Sequence, residues 1–133
     1  MGVFSVSVEI AKIVERPRFH RVERLLVDSG SEMTWIASDT LRKLGIVVRK
    51  KDQTFVMANG QTVTRDIGYA LVRCGEFETV DEVVFAQNGD LQLLGAHTLE
   101  GFNAVVDPKR KRLVAAGPMP AAPAQDVKTR AGW

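Results

Sequence analysis

The run Leu25-Leu26-Val27-Asp28-Ser29-Gly30 constrains this chain more than any other stretch of it. Three large apolar residues read as a buried strand, and the strand ends on a carboxylate followed at once by a hydroxyl and a glycine. Such a strand delivers one acidic side chain to the floor of a cleft. The hydroxyl can tie the loop down, and the glycine lets another backbone approach where a Cβ would block it. Alone, Asp-Ser-Gly is also ordinary turn composition. Far downstream, however, Leu93-Leu94-Gly95 repeats the theme of two large apolar residues and a glycine, here entering a short helical stretch.

Most of the chain reads as short strands. Val3 to Ile10 alternates apolar and polar side chains, the period of a half-buried strand, and Arg16-Pro17-Arg18 ends it. Val22 to Val27 runs into the Asp28 loop. Ser38-Asp39-Thr40 opens a helix of about two turns with Leu41 and Leu44 on one face and Gly45 as its stop, and Ile46-Val47-Val48 leaves as a strand. Asn59-Gly60 between Thr54–Ala58 and Gln61–Thr64 is a strong hairpin signal. Tyr69–Val72 and Glu78–Phe85 are strands joined by a turn at Cys74-Gly75-Glu76. Leu91–Leu94 is a short buried strand and Ala96–Gly101 a short helix. Phe102–Val106 and Arg110–Val114 flank Asp107-Pro108-Lys109, with proline at its favoured turn position. Many short strands with closely spaced turn signals predict an all-β barrel or sandwich.

These residues resemble the retroviral-type, or retropepsin-like, aspartic proteases. The resemblance rests on Leu-Leu-Val-Asp-Ser-Gly-Ser at 25–31 and Leu-Leu-Gly-Ala-His-Thr-Leu at 93–99. Met57-Ala58-Asn59-Gly60-Gln61 lies between them, where that family carries its flap. It implies a closed all-β acid-protease barrel with one or two short helices and a flap hairpin. Asp28 would be the catalytic acid/base, Ser29 the hydroxyl bracing two active loops across a dimer axis, and Gly30 a backbone contact to substrate. Glu32, Leu91, Leu93 and the flap residues Met57, Ala58, Asn59 and Gly60 would line the substrate site. Viral members pair an acidic residue two positions after the catalytic glycine with an arginine right after the later glycine. Here Glu32 keeps the acid and Ala96 replaces the arginine.

One Asp-Ser-Gly per chain is half of a catalytic pair. Peptide hydrolysis by two carboxylates needs them within hydrogen-bonding distance, sharing one proton. An isologous homodimer brings identical residues together on its axis and supplies the second. The expected partners are therefore a peptide or protein substrate and a second copy of the chain, with no cofactor. A different reading keeps the fold without turnover, as a dimerisation or peptide-binding module. A nucleic-acid-binding barrel using Lys109-Arg110-Lys111-Arg112 is a further rival, but a formal net charge of +2 and scarce aromatics speak against it, and those charges read better as a solvated hairpin arm.

Composition narrows the rest. A length of 133 residues suggests one domain, drawn at 1–116, able to bury a core without staples. Cys74 is the only cysteine, which rules out an intrachain disulfide and favours a reducing, cytoplasmic setting. His20 and His97 stand far apart without ligand spacing, so no metal is expected. No apolar run has the length of a membrane span, no secretory leader is evident, and no membrane partner is expected. From 117 to 133 prolines and alanines predict a flexible tail. Truncation after Gly117 is expected to leave the dimer and its thermal midpoint unchanged. Calorimetry and sedimentation check this, and a truncated chain that dissociates would make the tail an interface strand.

Overall fold

The computed structural model of the protein describes residues 4–121. Seven strands form one sheet in the order β1-β2-β7-β3-β6-β5-β4, where β1 is Ser5–Ala11, β2 His20–Asp28, β3 Thr34–Ala37, β4 Lys50–Val56, β5 Thr62–Cys74, β6 Phe77–Ala86 and β7 Leu93–Gly95. β1 also pairs with β5, from Glu9 opposite Arg73 to Ala11 opposite Leu71, and this closes six of the strands into a barrel while β4 extends from β5. Two helices, α1 (Ser38–Lys43) and α2 (Ala96–Phe102), and a separate hairpin, β8 (Ala104–Asp107) with β9 (Arg112–Ala115), complete the described residues. The all-β, closed-barrel expectation holds.

Alternation explains most of the inward face, and bulges explain its interruptions. Val22, Leu25 and Val27 are all buried although 22 and 25 are out of step. Arg24, at φ 61, is the extra residue that resets the register, so that Val6 faces Leu25 while Val8 faces Val22. β6 is buried on both sides: Val83 and Phe85 enter the barrel core with Ile10, Leu25, Ile36, Val72 and Leu94, whereas Val84 packs in a second cluster with Trp35 and Ile67. α1 tucks Leu41 into the main core and stops at Gly45, whose φ of 78 is open to glycine at little cost.

Several local expectations need correction. Ile46–Val48 forms no strand; it crosses over β5 so closely that a Cβ on Gly68 would lie 2.8 Å from the Val47 carbonyl oxygen. The two strands expected at 61–64 and 69–72 are one long strand, β5. β7 begins at Leu93, leaving Leu91 outside it at 65% exposure. Val3 and residues 122–133 of the expected tail lie outside the described residues.

The hairpin of β4 and β5 is tied to the barrel below its tip in two ways. The Phe55 ring meets Trp35 edge-on, with centroids 5.2 Å apart. Arg65 grips Asp90 through two nitrogens, at 2.6 and 2.9 Å, with the two side chains only 17% and 12% exposed. The guanidinium holds the Asp90 carboxyl below its ordinary value, despite an opposing push from burial. Stability from this pair is therefore present above the unfolded carboxylate pKa and is lost as pH falls through the lower folded value. Asp90→Asn is expected to lower stability by about 2 kcal/mol at neutral pH and by less in acid. Denaturant melts at both pH values check this, and an equal loss at each would show that the ion pair contributes nothing.

Candidate active site

Asp28 is the last residue of β2, and its loop turns back at once. The Gly30 N–H donates to Asp28 Oδ1 at 3.0 Å and the Ser31 N–H donates to the Asp28 carbonyl at 3.1 Å. The carboxylate is thus held by its own loop and half-buried, while Ser29 and Gly30 are exposed. After Met33 the chain re-enters the sheet as β3, and β7 lies between the two arms. β7 runs parallel to β2, setting Gly95 opposite Asp28, and antiparallel to β3, setting Leu93 opposite Trp35.

This insertion dictates the glycine. A Cβ on Gly95 would collide with the Met33 carbonyl and lie 2.9 Å from the Glu32 carbonyl oxygen. Because the backbones touch, the first turn of α2 is capped by the loop itself: Ala96 N–H donates to the Ser31 carbonyl at 2.7 Å and His97 N–H to the Glu32 carbonyl at 2.9 Å. Leu94 is fully buried in the main core, whereas Leu93 is partly buried against the second cluster with Met33.

Phe55 and Val63, one from each strand of the hairpin, join that same cluster. The hairpin expected to be the flap therefore rests on the residues that flank the Asp28 loop. Its tip is closed by Gly60 N–H to the Met57 carbonyl at 2.9 Å and by Gln61 N–H to Asn59 Oδ1 at 2.9 Å. Of the Asn59-Gly60 pair only Gly60 takes positive φ, at 85, so a turn followed by a left-handed glycine makes the reversal. Met57, Ala58, Asn59 and Gly60 are exposed at the tip. Glu32 is exposed as well and shares a hollow of about 240 Å³ with Met33, Ala96, His97 and Glu100. A more polar hollow of about 470 Å³, lined by residues including Arg42, Asn88 and Gln92, does not have Asp28 on its wall.

Behind the loop lies a polar layer that the sequence reading overlooked. Asp81 on β6 is 7% exposed, and Thr34 and Thr98 are fully buried. Gly95 N–H donates to Thr34 Oγ1 at 3.0 Å, the two threonine hydroxyls meet at 2.6 Å, and Thr98 Oγ1 donates to Asp81 Oδ2 at 2.7 Å. Asp81 Oδ1 takes the Glu82 N–H and His97 Nδ1, both at 2.7 Å. The signal was period two in β6, since Asp81 keeps step with the buried Val83 and Phe85. The hydrogen bond to Asp81 raises the His97 pKa, with Glu100 and Glu82 adding to it. The stabilising charge on His97 is present below the unfolded histidine pKa and fades as pH rises through the higher folded value.

Cys74 ends β5 with its thiol pushed up by burial, which suits a packed side chain better than a nucleophile. Among the described residues no cluster of His, Cys, Asp and Glu has the arrangement to hold a metal ion. No described helix is long and apolar enough to cross a membrane.

No curated protein matches the chain. A family model described as "gag-polyprotein putative aspartyl protease" matches residues 20–101, more than half of the chain, from the start of β2 into α2. With Asp28-Ser29-Gly30 at the end of β2 and Leu93-Leu94-Gly95 laid beside it, the chain belongs to the retroviral-type aspartyl protease family.

Proposed function

We propose that the chain is an aspartic endopeptidase that works as a homodimer, with two Asp28 carboxylates meeting across a two-fold axis. The observation that carries this reading is a half-buried carboxylate at a strand end, braced from behind by Gly95 and open in front through the exposed Ser29 and Gly30. One chain holds one such loop, so the second carboxylate comes from a second copy. The β8–β9 hairpin supports a further contact, because among the described residues its strands pair only with each other.

The chemistry follows from the shared proton. The ionised partner takes a proton from water, the water oxygen attacks the scissile carbonyl carbon, and the protonated partner polarises the carbonyl oxygen. Ser29 hydroxyls brace the two loops, and the Gly30 backbone aligns the peptide. The tip at Met57, Ala58, Asn59 and Gly60 closes over the substrate and excludes water. Glu32, Leu91 and Leu93 form the walls that select its side chains.

Three outcomes are expected. Sedimentation gives a dimer at working concentration. Asp28→Asn abolishes cleavage of a diverse peptide library with little change in melting temperature, because the amide oxygen still accepts from Gly30 N–H. The pH dependence of kcat/KM falls on both sides of an optimum below neutrality, since activity needs the singly protonated pair. A monomer that cleaves, an active Asp28→Asn variant, or a plateau at alkaline pH would end the proposal. A wild-type dimer that binds a statin-type peptide and cleaves nothing would point to the silent peptide-binding module.

A further inference from the structure

The polar layer behind the Asp28 loop has a fixed direction. The Gly95 N–H can only donate, and the Asp81 carboxylate can only accept. Between them, each threonine hydroxyl must therefore turn its proton toward Asp81: Thr34 to Thr98, and Thr98 to Asp81 Oδ2. The line starts one strand spacing from Asp28, at the residue paired with it, and ends at a carboxylate whose other oxygen faces His97. Every member except His97 is buried, and His97 is 65% exposed in its side chain. Since the carboxylate only accepts, Nδ1 of His97 carries the proton of that contact.

We propose that Asp81 is a positioning residue for the Asp28 loop, acting through Thr98, Thr34 and the Gly95 amide, with His97 setting its strength from the surface. Ala96 brings no polar side chain to the loop, and the Asp81 line supplies a hold on it through the Gly95 amide. Rotation of the Asp81 carboxylate shifts Thr98 and Thr34, and Gly95 has no room to follow without pressing on the Met33 carbonyl. Small changes at Asp81 therefore reach the loop. The charged groups around His97 are Asp81 and Glu82 from β6, Glu100 from α2 and Glu32 from the loop, with Lys50 from β4 already bonded to Glu82 at 2.6 Å. Loss of the His97 charge weakens one of three hydrogen bonds to Asp81 and leaves the negative groups facing each other.

The test has two arms, and only the kinetic arm rests on the proteolytic reading. In the first arm, amide resonances of Gly30 and Gly95 are followed by NMR while the His97 ring is titrated. In the wild type they move with the His97 ring. In His97→Gln, which keeps a neutral donor at the surface, they stay flat, and in Thr98→Val the His97 ring still titrates while the glycine amides no longer follow. Thr98→Ser restores the coupling. In the second arm, Thr98→Val lowers kcat roughly tenfold or more with KM little changed, and Thr98→Ser recovers it. Glycine amides that ignore the His97 titration in the wild type would overturn the proposal. So would a folded Thr98→Val with wild-type kcat and only a lower melting temperature. If Thr98→Val does not fold, wild type against His97→Gln decides. A wild type that cleaves nothing ends the proteolytic reading, and the NMR arm still decides this one.

Discussion

The close approach of Gly95 to the Asp28–Met33 loop is the constraint on which the rest of the structure depends. β2 and β3 diverge from that loop, and β7 fills the gap between them, parallel to one and antiparallel to the other. The gap admits a strand only if its last residue has no side chain, because the Met33 carbonyl occupies the space a Cβ would take. The neighbouring Leu94 is fully buried in the main core and anchors β7 there, at a cost of about 2 to 5 kcal/mol were it cut to alanine. Sterics at one residue and hydrophobic burial at the next therefore fix where Asp28 stands.

The loop is held by backbone more than by side-chain charge. Ala96 and His97 donate their N–H groups to the carbonyls of Ser31 and Glu32, which satisfies the first turn of α2 and closes the loop in the same stroke. Gly30 N–H then fixes one carboxylate oxygen of Asp28. On the far side, the hairpin of β4 and β5 is braced by Trp35 against Phe55 and by Arg65 against Asp90. The candidate flap is thus braced below its tip and exposed at the tip itself, the arrangement a closing element needs.

The sequence was most legible where chemistry and pattern coincide. Asp-Ser-Gly after an apolar run and Leu-Leu-Gly before a helix marked both members of the central contact, and Asn-Gly marked the hairpin. Propensity failed where tertiary contact overrides it. Ile46-Val47-Val48 is β-prone yet crosses Gly68 as an irregular segment, and Arg24 interrupts an apparently regular strand with a bulge. The layer of Thr34, Thr98, Asp81 and His97 escaped for another reason. Its partners lie 16 to 64 residues apart, and no local pattern announces that a hydroxyl will find a carboxylate across a barrel. Only the step of Asp81 with Val83 and Phe85 hinted that a charge was turned inward.

The central claim is that one active unit uses Asp28 from two chains, and subunit mixing tests it most directly. Wild type and Asp28→Asn are unfolded together, refolded at a series of ratios, and assayed on one cleaved peptide at constant total protein. If each active unit needs both carboxylates, activity falls as the square of the wild-type fraction. A linear fall would mean that each chain works alone, and the paired-carboxylate account would be contradicted.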